Sequence, residues 1–174
     1  LAISYCSLWP LAKKGAARRR QVEPVKFSEA ALAGDPRAQR MLGIAAEERR
    51  DFDEALEWLR KAAKKGDAEA QFRVSSILAH GPLGRRDYVE SMEWLLAAVR
   101  GSLPGAAVEL GRRYADGVGV EKNDNKAFDI WLHAAESGDA AAQRAVGQAY
   151  MDGTGIEAEA RRAGGWVAQA AAQG

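Results

Sequence analysis

The sequence predicts an all-α protein, a right-handed αα solenoid of about four helix-turn-helix repeats preceded by a partial repeat. Three observations support this fold class. The chain repeats itself with a period near 36 residues, each repeat boundary combines a helix stop signal with a helix start signal, and each repeat contains two helical patterns of apolar residues. One pair of helices is too small to bury its own apolar face, so neighbouring pairs must stack.

A glycine that closes a pair of small residues marks each repeat boundary. These glycines are separated by 32, 35, 37 and 36 residues and lie at Gly34, Gly66, Gly101, Gly138 and Gly174. Four of them precede a candidate helix cap, at Asp35, Asp67, Ser102 and Asp139. Glycine can end one helix in the left-handed conformation, while an Asp or Ser oxygen accepts from the free amides that begin the next helix.

The first helix of each repeat is predicted to begin with an alanine. The four copies read AQRMLGIAA (38–46), AQFRVSSIL (70–78), AAVELGRRY (106–114) and AQRAVGQAY (142–150). An aliphatic residue follows four positions after the alanine, then a Gly or Ser, and an apolar residue stands eight positions after it, so these positions share one helical face. The small residue lowers helix propensity. A second helix is therefore expected to approach closely at Gly43, Ser75, Gly111 and Gly147.

The second helix of each repeat carries its own start signal. Polar caps are predicted at Asp51, Asp87 and Asn123, and Glu54 and Glu90 follow the first two at capping-box spacing. A tryptophan recurs in this helix in every copy, at Trp58, Trp94, Trp131 and Trp166. Such regular placement is typical of repeated core packing and not of a ligand cage.

The chain divides into an N-terminal segment, 1–24, and a repeat domain, 25–174, with repeats at about 35–66, 67–101, 102–138 and 139–174. VKFSEAALAGDP (25–36) supplies the partial leading repeat. Residues 1–20 run from apolar to strongly basic, as at the end of a membrane span, but the apolar part is shorter than the roughly 20 residues that crossing a bilayer needs. The segment could instead cover the open end of the repeats, lie in their groove, or act as a basic arm.

Composition excludes several kinds of site. With 25 Lys and Arg against 24 Asp and Glu, the net charge of +1 gives no general attraction to nucleic acid. Cys6 is the only cysteine, and the two histidines, His80 and His133, stand at different repeat positions. No disulfide framework, metal site or cofactor is therefore predicted. GVGVEK (117–122) lacks the preceding strand of a dinucleotide site, and no hydrolase motif is present.

The repeats resemble the Sel1-like family, relatives of the tetratricopeptide repeat with a longer, glycine-containing loop between the helices. The motif A-x-x-x-L-G-x-x-Y-x-x-G-x-G is matched by AAVELGRRYADGVG (106–119) and closely by AQRAVGQAYMDGTG (142–155). The first repeat lacks the Gly-x-Gly loop, and the second has HGPLGRRD (80–87) in its place. The subgroup with a disulfide in each repeat is not matched.

The resemblance implies a concave groove built from the first helices. On that template the groove positions lie two and six after the starting alanine, with one additional residue before the first alanine. They are Arg37, Arg40, Ile44, Phe72, Ser76, Val108, Arg112, Arg144 and Gln148. The arginines would form a basic strip beside an apolar patch and bind an acidic peptide segment. The alternative is a solvated face in which the arginines pair with neighbouring Glu residues.

The function implied is a non-enzymatic scaffold or adaptor for another protein or peptide in a bacterium, with no nucleic acid as partner. Alternatives are a cell-wall or β-lactam hydrolase, as claimed for the disulfide-rich relatives, and an adaptor tethered to a membrane or nucleic acid through its basic arm. Self-association through the alanine-rich last repeat is also expected. The sequence leaves the compartment open among cytoplasm, periplasm and envelope.

Overall fold

The computed structural model describes residues 28–81 and 87–173. The predictions for the N-terminal segment 1–24 lie outside these residues. In the described part of the chain, no helix combines the length and the apolar character that crossing a bilayer requires.

The described residues form a chain of helix pairs, and no strand occurs among them. Residues 28–32 are helical and precede the first pair. The pairs are α1 (Pro36–Glu48) with α2 (Phe52–Ala63), α3 (Ala68–His80) with α4 (Tyr88–Arg100), α5 (Ala106–Asp116) with α6 (Asp124–Glu136), and α7 (Ala140–Asp152) with α8 (Ala160–Ala171). The predicted all-α fold of four helix-turn-helix repeats is confirmed.

Packing alternates along the chain. Within each pair the two helices pack against each other, and α2 then packs on α3 as α6 packs on α7. The contact between α4 and α5 is of the same kind but much smaller. Each pair thus covers the apolar face of its neighbour, as a solenoid requires.

Six of the predicted helix caps are confirmed. Asp35, Asp67 and Asp139 accept hydrogen bonds from backbone amides at the starts of α1, α3 and α7. Asp51, Asp87 and Asn123 do the same for α2, α4 and α6. The carboxylate of Glu54 pairs with Arg49 and that of Glu90 with Arg60, so the acids at capping-box spacing serve other contacts.

The predicted cap at Ser102 is wrong. Ser102 has a φ of 54° and takes the left-handed position that Gly66 and Gly138 occupy in the neighbouring repeats. The cap position therefore falls on Leu103, whose side chain has no oxygen to accept from an amide. Without that cap, α5 begins only at Ala106, with Gly105 as its N-cap residue and no side-chain cap. When Ser102 replaces Gly101 as the boundary residue, the interval from Gly66 to Ser102 equals the interval from Ser102 to Gly138.

The small residue in each first helix lies against the second helix of its own pair, as predicted. A Cβ on Gly43 would lie 2.5 Å from Leu59 Cγ, one on Gly111 would lie 2.2 Å from Trp131 Nε1, and one on Gly147 would lie 2.8 Å from Val167 Cγ2. At the fourth site Ser75 Oγ lies 3.2 Å from Ser91 Oγ. Only a very small side chain allows these approaches.

The tryptophans belong mainly to the core. Trp131 is buried and its Nε1 donates to the Val108 carbonyl at 3.0 Å. Trp94 and Trp166 are partly buried against core clusters. Trp58 is half-buried, and the Lys61 ammonium lies 4.2 Å from its ring centroid.

A recurring glutamine, not identified from the sequence, links successive repeats. Gln39, Gln71 and Gln143 are buried, and the Nε2 of each donates to a backbone carbonyl eight residues earlier, in the preceding repeat. The acceptors are the carbonyls of Ala31, Ala63 and Ala135. The signal was present in the aligned segments, where Gln follows the starting alanine in all copies except the third, which has Ala107.

Candidate partner-binding face

The candidate site is the side of the solenoid formed by α1, α3, α5 and α7, here called the first-helix face. The first helices α5 and α7 pack directly on each other, whereas within residues 28–81 and 87–173 no two successive second helices are packed to that extent. This contact is limited to the last two repeats, and the concave groove stays a prediction.

All nine residues predicted for the groove reach solvent to some degree. Arg37, Arg112, Arg144 and Gln148 are exposed, whereas Arg40, Ile44, Phe72, Ser76 and Val108 are half-buried. Phe72 packs against the small cluster between α4 and α5, and Val108 packs against the cluster of the last two repeats. The apolar patch is thus the outer rim of the core.

The arginines of the predicted strip differ in their pairing. Arg40 Nη1 donates to both carboxylate oxygens of Asp67, at 2.9 and 3.1 Å, and so ties the first repeat to the second. Arg112 pairs with Glu109 in the preceding turn of its own helix. The side chains of Arg37 and Arg144 make no hydrogen bond or ion pair with the rest of the described chain. Two arginines of the strip thus follow the pattern of a solvated, internally paired face.

Apolar and acidic side chains also lie on this face, and sequence reasoning missed them. Met41 and Met151 are exposed on α1 and α7. Exposed acids stand ten positions after the starting alanine in three repeats, at Glu48, Asp116 and Asp152, and His80 takes the equivalent place in the second. Continuing the spacing of the two groove positions by one more turn would have identified these acids. The C-terminal ends of the first helices therefore form an acidic edge.

A buried polar network lies under the centre of the face. Arg113 is only 2% exposed, and its guanidinium donates to Ser91 Oγ at 2.8 Å and to Ser75 Oγ at 2.9 Å. Ser91 Oγ in turn donates to the Ser75 carbonyl at 2.7 Å. Arg113 also pairs with Glu109 at 3.2 Å. This network joins α3, α4 and α5. The sequence analysis did not single out Arg113, because nothing in its spacing distinguished it from the exposed Arg112 beside it.

Glu109 is a partly buried carboxylate held by two arginines near the centre of the face. Arg112 and Arg113 both donate to it, and His80 Nε2 lies 3.5 Å from its Oε1. Burial of the carboxylate acts to raise the pKa of Glu109, but the hydrogen bonds and charges of Arg112 and Arg113 outweigh that effect and hold the pKa below its usual value. Glu109 therefore stays ionised at neutral pH.

Asp139 is a second carboxylate with a lowered pKa. Burial acts to raise the pKa of Asp139, but hydrogen bonds from the amides of Ala142, Gly105 and Ala141, helped by the charge of Arg144, lower it overall. The Gly105 amide lies 3.0 Å from Asp139 Oδ2 and joins the start of α5 to the start of α7.

These two lowered pKa values predict a loss of stability in acid. The unfolded chain binds more protons than the folded chain near the ordinary carboxylate pKa, so protonation favours unfolding there. The free energy of unfolding should be constant above about pH 5 and fall as the pH decreases toward 3. Urea denaturation across this range measures the slope, and Glu109→Gln should flatten it. Glu93→Gln, at an exposed site on α4, is the matched control. If the slope of the free energy of unfolding against pH is the same in Glu109→Gln as in the wild type, the lowered pKa of Glu109 is contradicted.

No cluster of His, Cys, Asp and Glu suited to a metal ion occurs in the described ranges.

Comparison with known proteins identifies the family. The Sel1 repeat family model matches residues 36–67, 68–102, 104–139 and 140–174. The chain belongs to the Sel1 repeat family. This fold generally serves as a non-catalytic scaffold for protein–protein interaction. No curated protein matches the sequence.

Two solved structures are similar in both fold and sequence. A Sel1 repeat protein from Oxalobacter formigenes is 29% identical with a TM-score of 0.80, and the match covers 88% of this chain and 65% of that one. The protective antigen c5321 of uropathogenic Escherichia coli, which displays an SLR fold, is 30% identical with a TM-score of 0.76. That match covers 87% of this chain and 33% of the antigen. This chain thus corresponds to less than two thirds of either relative.

Proposed function

We propose that this Sel1 repeat protein is a non-enzymatic scaffold whose first-helix face binds an acidic segment of a partner protein. The family supports the general role of an interaction scaffold, and the chemistry of the face supports the choice of an acidic partner. The segment would lie across α3 and α5, at the centre of the face.

The observation that carries the proposal is the excess of cations around Glu109. Two arginines donate to this carboxylate, and the Arg112 side chain is 56% exposed. If a partner carboxylate took Arg112, Glu109 would keep its bond to Arg113 and would not be left unpaired. The exchange therefore avoids the penalty for a partly buried, uncompensated charge. A guanidinium also binds a carboxylate through two parallel hydrogen bonds.

Other residues of the face extend this contact. Arg37 on α1 and Arg144 on α7 offer two more exposed guanidinium groups, one toward each end of the four described repeats. Val108, one turn before Arg112 on α5, and Phe72 on α3 provide partly exposed apolar surface. The acidic edge formed by Glu48, Asp116 and Asp152 would repel a negative segment. The partner is therefore expected to avoid this edge and to contact the first helices from Arg112 toward their N-terminal ends.

The proposal predicts that Arg112→Glu abolishes partner binding, because it replaces the accessible cation by an anion beside Glu109. A close pair of like charges at the contact should weaken binding at least tenfold. The measurement is affinity capture from bacterial lysate with wild-type and variant chains, followed by calorimetric titration of the captured partner's acidic segment.

The matched control is Arg100→Glu, which makes the same charge change at an exposed site near the end of α4, outside the first-helix face. It should leave binding within about twofold of wild type, as expected for a charge that touches neither partner. Circular dichroism and thermal unfolding would check that both variants are folded. Equal binding by wild type and folded Arg112→Glu would remove Arg112 from the contact and refute the proposed site.

A further inference from the structure

We infer that the solenoid consists of two rigid halves, α1–α4 and α5–α8, joined by a hinge whose setting is fixed by the buried Arg113 side chain. Three kinds of contact that tie neighbouring repeats together are strong within each half and weak or missing between α4 and α5. The inference does not depend on any partner.

The first missing tie is the glutamine link. Within the halves, Gln71 Nε2 donates to the Ala63 carbonyl at 3.1 Å and Gln143 Nε2 donates to the Ala135 carbonyl at 3.3 Å. At the α4–α5 junction the equivalent residue is Ala107, which cannot donate from its side chain. The carbonyl that would accept, that of Val99, accepts from the Ser102 amide as its counterparts accept from Gly66 and Gly138. The acceptor site is therefore present and the donor is absent.

The second missing tie is the cap aspartate. Asp67, at the start of α3, is held by Arg40 of the preceding first helix. Asp139, at the start of α7, is held by the Gly105 amide at the start of α5. Each of these aspartates thus joins two repeats of one half. The equivalent position between the halves is Leu103, which has no charge to share.

The third difference is the extent of packing. The contact between α4 and α5 is the smallest of the three contacts between consecutive repeats. The core divides in the same place. One large apolar cluster extends through the first two repeats and another through the last two, and a smaller cluster around Leu95 and Leu110 connects them.

The Arg113 network takes the place of these ties. Its guanidinium on α5 reaches Ser75 on α3 and Ser91 on α4, so one side chain joins both helices of the second repeat to the second half. Opening an apolar junction costs about 25 cal/mol of free energy for each Å² of apolar surface that becomes exposed to water. The α4–α5 contact is smaller than its neighbours, so opening it exposes less apolar surface, and the Arg113 hydrogen bonds are left to oppose the opening. The junction should therefore open more easily than its neighbours.

The hinge lies directly beneath the centre of the first-helix face. Glu109 pairs with Arg113 on its inner side and with Arg112 on its outer side. Movement at the junction changes the separation of α3 from α5, and with it the distance between Phe72 and Arg112. Opening and closing would thus adjust the width of the face where the most accessible of its cations lies.

The test measures spin-label distances in the free, full chain by pulsed electron paramagnetic resonance. In a Cys6→Ser background, labels at Glu57→Cys and Asp129→Cys span the junction from α2 to α6. Labels at Arg37→Cys and Arg100→Cys lie within the first half, and all four sites are exposed. We expect a broader distance distribution for the pair that spans the junction than for the pair within the half.

Two variants at the junction should change that distribution in opposite directions. Ala107→Gln supplies the missing donor to Val99 and should narrow it, and Arg113→Met removes the polar network and should broaden it. Neither should alter the pair within the first half. If Arg113→Met does not fold, the width measured with Ala107→Gln still tests the hinge. Equal widths for both pairs, with no narrowing by Ala107→Gln, would overturn the inference and leave the proposed binding face untouched.

Discussion

Replacing Arg113 with alanine is expected to destabilise the protein by about 3 to 5 kcal/mol, the cost of removing one partner from a buried charge pair. The change deprives Ser75 Oγ and Ser91 Oγ of their donor and leaves a cavity where the guanidinium was. Glu109 keeps Arg112 but loses its interior partner. For a chain of this size the loss corresponds to a fall in the melting temperature on the order of 10 °C.

Thermal and urea denaturation of Arg113→Ala beside Arg112→Ala measures this effect. Arg112 has the same charge and the adjacent position, but it is exposed, and surface ion pairs contribute about 1 kcal/mol or less. The two neighbouring arginines should therefore differ several-fold in their contribution to the free energy of unfolding. A comparable loss in both variants would contradict the buried network.

Gly111→Ala is expected to have the second-largest effect, a loss of about 1 to 3 kcal/mol from overpacking. The new methyl group would lie 2.2 Å from Trp131 Nε1, so α5 and α6 must separate or the indole must move. Either movement strains the hydrogen bond from Trp131 to the Val108 carbonyl. The higher helix propensity of alanine, about 1 kcal/mol, opposes this loss without cancelling it.

Gly165→Ala is the matched control for that substitution. Gly165 lies inside α8, and a Cβ there meets no atom within 4 Å. Only the propensity change remains, so this variant should be stabilised by up to about 1 kcal/mol. If urea denaturation shows that Gly111→Ala lowers the free energy of unfolding and Gly165→Ala raises it, close helix packing is the reason that position 111 requires glycine. Stabilisation by both substitutions would show that α5 and α6 have room to adjust.

The binding proposal and the hinge concern the same region of the chain through different residues. Arg112 faces solvent and is available to a partner, whereas Arg113 points into the junction and holds the two halves together. An acidic segment that pairs with Arg112 would lie across α3 and α5 and so span the hinge. Its fit would then depend on the angle between the halves as well as on its charge.

Some of these features followed from the sequence alone. The helix pairs, six of the caps and the close approach at Gly43, Gly111 and Gly147 were predicted, because each depends on local rules that a repeated sequence states several times. The position of Ser102 within the repeat was predicted wrongly because the same local rule was applied there. Glycine was expected at the left-handed position, and the nearest glycine, Gly101, stands one residue earlier.

The partners of each charged side chain were decided only by the tertiary structure. Arg40, Arg112 and Arg113 are alike in sequence, yet one ties two repeats, one faces solvent and one is buried between two serines. A helical period fixes the face on which a residue lies, but the partner that it meets depends on how neighbouring repeats are placed. The sequence by itself therefore determined the repeated helical unit, and the stacking of those units decided which arginines remain exposed and where the contact between repeats is smallest.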